Sequence, residues 1–119
     1  MDSVLKVKSF AFAVRIVRAF QHLQSDKKEY VLTKQLVRSG TAVGAMIREA
    51  EYAETKRDFI HKMAIAQKET NETLYWLDLL AATEYLTPKE ANSLQLDAIE
   101  LLKMLTSTIK TAKNNLISD

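Results

Sequence analysis

Few residues in this 119-residue chain have the types and spacing that catalysis or metal binding requires. The chain has no cysteine and only two histidines, which excludes a thiol nucleophile, a disulfide framework and a cysteine-ligated metal. Glu54, Asp58 and His61 would share one face of a helix and come closest to a metal site. A solvated polar face explains these three residues better, so we expect no metal and no cofactor.

Acid–base and nucleophilic catalysis also lack a recognisable arrangement. Ser39 is not part of a Gly-x-Ser-x-Gly elbow, and no phosphate-binding glycine loop occurs. Acids that flank apolar helix positions more often pair with arginines and fix the register of neighbouring helices than transfer protons. The residues in question are the acids Glu49, Glu69 and Glu72 and the arginines Arg38 and Arg48. We therefore predict that the protein is not an enzyme.

Basic residues are the class whose placement points to a ligand. The chain carries 17 lysines and arginines against 15 acidic residues, and no acid occurs between Asp2 and Asp26. Basic residues recur at helical intervals in two segments: Lys8, Arg15 and Arg18 in the first, and Lys34, Arg38 and Arg48 in the second. Two such stripes side by side would form one positive surface, which is typical of proteins that bind a phosphate backbone. We predict nucleic-acid binding through these residues; the alternative is that they only keep the helices solvated.

The elements that must hold these residues are helices. Residues 45–87 and 89–119 contain neither glycine nor proline, so the turns that regular strands need are missing. Apolar residues recur at helical spacing over 4–24, about 30–52, 55–84 and from 87 onward, with a polar connection at 25–29. Thr55 with Asp58, and Thr87 with Glu90, have the spacing of capping boxes. We predict one all-α domain over residues 1–119, an up-down-up-down antiparallel four-helix bundle with long helices.

The first predicted helix is more apolar than a single bundle requires. From Phe10 to Phe20 nine of eleven residues are apolar, and only Arg15 and Arg18 interrupt the run. Because a bundle helix buries one stripe, the remaining apolar surface predicts self-association, although single exposed hydrophobes are ordinary. Glycines four residues apart on the second helix would let another helix approach closely. The predicted subunit interface comprises Phe10, Phe12, Ile16, Phe20, Gly40 and Gly44.

The segment from Gln35 to Leu80 resembles a known protein family. The pieces that carry the resemblance are Gln35-Leu36-Val37-Arg38-Ser39-Gly40-Thr41-Ala42-Val43-Gly44-Ala45, Ile47, Glu49-Ala50, Lys56-Arg57-Asp58-Phe59-Ile60-His61-Lys62, Lys68-Glu69, Glu72-Thr73 and Tyr75-Trp76-Leu77. In this order they resemble the four-helix-bundle proteins encoded in intervening sequences of bacterial 23S ribosomal RNA genes, also called the S23 ribosomal protein family. The resemblance implies a small cytoplasmic bacterial protein that assembles as a homopentameric ring.

That family is similar to the accessory variability determinant of diversity-generating retroelements, a pentameric barrel whose basic surface engages a reverse transcriptase and nucleic acid. Carried over, the similarity makes Arg15, Arg18, Lys34, Arg38 and Arg48 candidates for RNA contact. It favours a protein that binds ribosomal RNA, another structured RNA or a ribonucleoprotein. The alternative is an adaptor ring that docks a reverse transcriptase or another protein through an apolar or acidic surface on the third and fourth helices, without touching nucleic acid. We expect no membrane partner, because no apolar segment approaches the roughly 20 residues that a spanning helix needs.

Overall fold

The computed structural model describes residues 3–118, which form four helices joined by short connections. The helices are α1 Val4–Ser25, α2 Leu32–Ala50, α3 Lys56–Ala82 and α4 Pro88–Ser118. Lys6 near the start of α1 contacts Glu51 just after α2, and Gln67 of α3 contacts Thr106 of α4, so consecutive helices run antiparallel. The bundle measures 52 × 22 × 21 Å. The predicted all-α, up-down-up-down architecture is confirmed.

The four helices occupy the corners of a square, and their contacts are unequal. α2 packs extensively on α1 and on α3, and α3 packs extensively on α4, whereas α1 and α4 have the least extensive contact of the four neighbouring pairs. Within residues 3–118, α1 and α3 lie on one diagonal without backbone contact, and so do α2 and α4. A surface centred on α1 is therefore remote from α3.

Local signals determine most of the helix ends. The Thr87 hydroxyl accepts a hydrogen bond from the Glu90 N–H at 3.2 Å, and the Glu90 carboxylate accepts one from the Thr87 N–H at 2.8 Å, so this predicted capping box is complete. The Thr55 hydroxyl accepts from the Asp58 N–H at 3.0 Å. α3 ends before the predicted residue 84 because Glu84 adopts a left-handed backbone with φ 67° and the Tyr85 N–H donates to the Leu80 carbonyl.

α2 begins at a buried carboxylate, in a segment that the sequence pattern treats only as a polar connection. Glu29 accepts hydrogen bonds from the N–H groups of Val31, Leu32 and Thr33 at 2.8–3.2 Å and from the Thr33 hydroxyl at 2.8 Å. Burial favours the neutral acid, but the donors from Leu32 and Thr33 outweigh it and hold the pKa of Glu29 below its ordinary value. The start of α2 therefore depends on one ionised carboxylate.

α1 packs closely against the backbone of α2 at Gly40. A Cβ atom at this position would lie 2.7 Å from Cγ2 of Ile16, a fully buried β-branched residue that cannot move aside. At Gly44 a Cβ atom would lie 3.4 Å from the Ser9 carbonyl, which is an ordinary contact. The lack of a side chain is thus required at Gly40 and not at Gly44.

A hydroxyl pair joins α2 to α3 inside the bundle. Thr73 Oγ1 lies 2.9 Å from Ser39 Oγ and 2.7 Å from the Glu69 carbonyl, and both side chains are fully buried. The core that contains this pair is formed by apolar residues from all four helices, among them Leu5, Phe12, Ile16, Leu23, Leu36, Val43, Ile47, Met63, Ala66, Leu77, Leu80, Leu94, Ala98, Leu101 and Leu105. Because buried polar atoms need partners, the pair fixes the alignment of the two helices.

The two glycines give a matched test of packing. Gly40→Ala is expected to lower the free energy of unfolding by about 1–3 kcal/mol, because the added methyl group overpacks Ile16. Gly44→Ala is expected to raise it by up to about 1 kcal/mol, the gain in helix propensity. Denaturant unfolding followed by circular dichroism at one protein concentration measures both. Equal effects of the two substitutions would contradict this assignment.

Glu29 gives a test by pH. Because its pKa is lowered in the folded protein, its carboxylate stabilises the fold above the unfolded pKa of about 4.3, and this contribution disappears as the pH falls through the lower folded value. Glu29→Gln is expected to cost about 0.5–2 kcal/mol at neutral pH, the range for a lost helix cap, and less at pH 3. Unfolding curves of both proteins at the two pH values measure the difference. A loss that does not change with pH would contradict the carboxylate's role.

Candidate subunit and nucleic-acid surfaces

An apolar stripe runs along the solvent-facing side of α1. Val7, Phe10, Val14 and Val17 follow one another at steps of three and four residues, and each is between 36% and 60% exposed. This spacing is that of a coiled-coil seam. The opposite side of the same helix supplies Phe12 and Ile16 to the core. α1 therefore has two apolar faces, and only one is covered within the chain.

A groove between α1 and α2 adjoins this α1 apolar stripe. Its volume is about 440 Å³, and Phe10 stands at its edge. Small residues form much of its lining: Ser9, Ala13, Thr41, Gly44 and Ala45. Because small side chains let another chain approach closely, the groove and the stripe together form a surface suited to packing.

The structure leaves only half of the predicted subunit interface accessible. Phe10 is exposed, and Phe20 and Gly44 are half-buried. The other three lie inside the chain: Phe12, Ile16 and Gly40. The prediction is wrong for these three because the apolar residues of α1 point in two directions and Gly40 accommodates Ile16 of the same chain. The residues that replace them on the surface are Val7, Val14 and Val17.

Three of the six predicted nucleic-acid contacts form ion pairs with neighbouring helices. The pairs are Lys8 with Glu100 at 2.9 Å, Arg15 with Asp97 at 2.5 Å, and Arg38 with Glu69 at 2.9 Å and with Glu72. The predicted pairing of Arg38 with the glutamates of the third helix is thus confirmed. A carboxylate this close offsets the charge of its partner and competes with a phosphate for it.

The other three predicted contacts, Arg18, Lys34 and Arg48, have no ion pair within residues 3–118. Arg18 lines a groove between α1 and α4, whereas Arg48 lines the groove between α1 and α2. The paired cations are divided between two other partners, because Lys8 and Arg15 turn towards α4 and Arg38 turns towards α3. These are opposite edges of the bundle, so the expected single patch on α1 and α2 does not form within one subunit.

Two comparisons with known proteins bear on the family. The 23S rRNA-intervening sequence protein family matches residues 2–107 of the chain. The chain belongs to this family. A crystal structure of a protein with unknown function from the S23 ribosomal protein family of Bacteroides thetaiotaomicron superposes with a TM-score of 0.89 and 52% sequence identity, over 90% of this chain and 99% of that one. None of the curated proteins matches.

The polar side chains that this family member offers for chemistry form local pairs. Asp58 lies 3.6 Å from Lys62, and no group of three or more acidic or histidine side chains in residues 3–118 is arranged to hold a metal ion. His22 Nδ1 lies 2.9 Å from the Asp26 carboxylate. The Ser25 hydroxyl and His22 lower the pKa of Asp26. None of the helices within the described part of the chain has the length and apolar character to cross a bilayer.

A further surface of this family member lies between α3 and α4, the two helices on which the adaptor alternative places its docking surface without naming residues. Tyr75, Leu96 and Ile99 are exposed and border a groove of about 560 Å³ that is also lined by Asn71 and Gln95. One feature of the sequence could have indicated this surface. Leu96 and Ile99 lie outside the helical stripe of Leu94, Ala98 and Leu101, which are residues of the core.

The Arg15 pair predicts a small, salt-dependent stabilisation of the contact between α1 and α4. Arg15→Gln is expected to lower the free energy of unfolding by up to about 1 kcal/mol at low salt, since half-exposed pairs contribute little. The loss should shrink in about 1 M salt, where the screening length is about 3 Å. Arg18→Gln is the control, and denaturant unfolding at both salt concentrations is the measurement. A loss unaffected by salt would show that packing, not charge, holds this contact.

Proposed function

We propose that this chain is a non-enzymatic cytoplasmic protein that assembles with copies of itself and binds RNA or a ribonucleoprotein. The α1 apolar stripe carries the proposal for assembly. The name of the family, which refers to an intervening sequence of 23S rRNA, supports RNA as the class of ligand.

The argument for assembly is the cost of leaving the α1 apolar stripe in water. Burial of a valine or phenylalanine side chain contributes about 1.5–3 kcal/mol, and the stripe holds four such residues in one row. Packing the stripe of one copy into the α1–α2 groove of the next joins two different surfaces. Such head-to-tail contacts close into rings when the rotation between copies is right. A ring of five, as the family resemblance implies, is the assembly we propose.

The argument for RNA is electrostatic. One subunit has a formal net charge of only +2, which is too small to demand a polyanion. A ring multiplies this charge and brings separate cations within one surface, so the local positive potential rises. Binding of this kind weakens as salt rises, because each phosphate contact releases counterions.

Native mass measurement tests the assembly. The wild-type protein is expected at a multiple of its 13.5 kDa subunit mass, and Phe10→Glu with Val14→Glu is expected to shift it to the monomer, because two charges would enter an apolar contact. Leu96→Glu is the matched control, since Leu96 is as exposed as Phe10 and lies on α4. A wild-type protein that sediments as a monomer at micromolar concentration would overturn the proposal.

A second candidate function, an adaptor that docks another protein, is favoured by the exposed Tyr75, Leu96 and Ile99 between α3 and α4. Aromatic and aliphatic side chains surrounded by amides are typical of the centre and rim of a protein interface. The partner proposed from the resemblance is a reverse transcriptase. Binding to purified reverse transcriptase that survives nuclease and is lost in Leu96→Glu would favour the adaptor. Binding that nuclease abolishes would favour RNA.

A further inference from the structure

We infer that the RNA backbone binds on α3 and α4, at the end of the bundle where α3 begins and α4 ends, and not on α1 and α2. This inference rests on the proposed RNA binding and assigns it a surface. The surface consists of exposed basic side chains from the two helices, here called the α3–α4 basic surface: Arg57, His61 and Lys68 from α3, and Lys103, Lys110 and Lys113 from α4.

The fold brings these two rows together. Gln67 donates a hydrogen bond to Thr106 at 2.9 Å, so the end of the α3 row, at Lys68, lies beside the start of the α4 row. Further along, Lys56 and Phe59 share a groove with Ala112 and Asn115. Because the helices are antiparallel and each rises about 1.5 Å per residue, both rows extend for roughly 15 Å along the same part of the bundle.

The cations of this surface are not neutralised within the chain. None of the six side chains has an ion pair in the part of the chain that the structure describes, residues 3–118. The acids nearest in sequence have other partners, because Asp58 pairs with Lys62, Glu69 with Arg38 and Glu100 with Lys8. Lys62 also lies 3.9 Å from Glu49 of α2 and so is turned to another edge of the bundle. No acidic residue occurs from 101 to 118. This contrasts with Lys8, Arg15 and Arg38, each of which faces a carboxylate.

The side chains around these cations favour RNA over a membrane. A membrane-binding helix sets its lysines beside large apolar residues that enter the lipid. The exposed large apolar residues of the described chain all lie outside 56–74 and 100–116. Amides and a hydroxyl occupy the groove between the helices instead, supplied by Gln67, Asn71 and Thr106. Such groups, with lysine and arginine, are the ones that contact phosphate and sugar oxygens.

The position of this surface is compatible with the proposed assembly. α3 lies diagonally across the bundle from α1, so an interface built on the α1 apolar stripe leaves α3 uncovered. Every subunit of a ring would then present its own α3–α4 basic surface. A long RNA could contact several of them at once, which raises the overall affinity without any new contact.

Two triple variants test the assignment, because each removes three exposed, unpaired cations. One variant combines Lys103→Gln, Lys110→Gln and Lys113→Gln on α4. The other combines Arg18→Gln on α1, Lys34→Gln on α2 and Lys27→Gln in the connection between them, and it leaves Arg48 unchanged because Arg48 lines the α1–α2 groove. A labelled hairpin RNA is titrated with each protein between about 50 and 200 mM salt, the range over which phosphate contacts change affinity strongly. Circular dichroism and native mass measurement check that each variant keeps its fold and its assembly. A double variant on α3, Arg57→Gln with Lys68→Gln, tests the same surface independently.

The α4 variant is expected to bind at least about tenfold more weakly and to lower the slope of log affinity against log salt by roughly 2–3, since each phosphate contact contributes about 0.7–0.9. The α1–α2 variant should bind within about threefold of wild type, as expected for cations outside the contact.

Equal losses in both variants, or a larger loss in the α1–α2 variant, would overturn the assignment while leaving RNA binding intact. A wild-type protein that does not bind the hairpin at low salt would overturn the proposed function itself. Binding of polyglutamate or of phosphatidylglycerol vesicles as tight as that of the hairpin would overturn the assignment in favour of an acidic protein or a membrane.

Discussion

The contact between Gly40 and Ile16 determines how α1 lies on α2, and the two faces of α1 follow from it. Because α2 has no side chain at this point, Ile16 packs directly on its backbone and points to the core. The same rotation of α1 places Phe12 inside and turns Phe10 and Val14 outward. A helix fixed in any other rotation would bury a different stripe. The apolar surface proposed for assembly is thus a consequence of one missing side chain.

Charge is distributed by the same packing. Some cations at the edges between helices meet a carboxylate of the next helix, as Arg38 meets Glu69 and Arg15 meets Asp97. The six cations of the α3–α4 basic surface meet none within residues 3–118. Residues 61–119 carry six basic and eight acidic groups, so their net charge of −2 conceals this separation. The acids of that half lie mainly between 69 and 100, and the lysines of α4 follow them.

What the sequence predicted well depends on short-range spacing. The four helices and the Thr87 capping box follow from residues a few positions apart in the chain. The role of Glu29 as the buried cap of α2 was missed because a single acid beside lysines resembles any polar connection. Only the folded position of Thr33, whose hydroxyl donates to the Glu29 carboxylate, shows that this acid caps the start of the helix. The orientation of Phe12 and the location of the unpaired cations were missed because they depend on how each helix is rotated in the bundle.

The α1–α4 contact is the least extensive of the four contacts between neighbouring helices. Its cross-links include half-exposed ion pairs from Lys8 and Arg15, and a groove of about 550 Å³ separates the two helices near Arg18 and Lys89. Contacts with few buried apolar atoms open at lower free energy than a packed core does. Local opening of the bundle should therefore begin at the contact between α1 and α4. Amide hydrogens of these two helices should exchange with solvent sooner than those of α2 and α3, which are held together by the hydroxyl pair and by close packing.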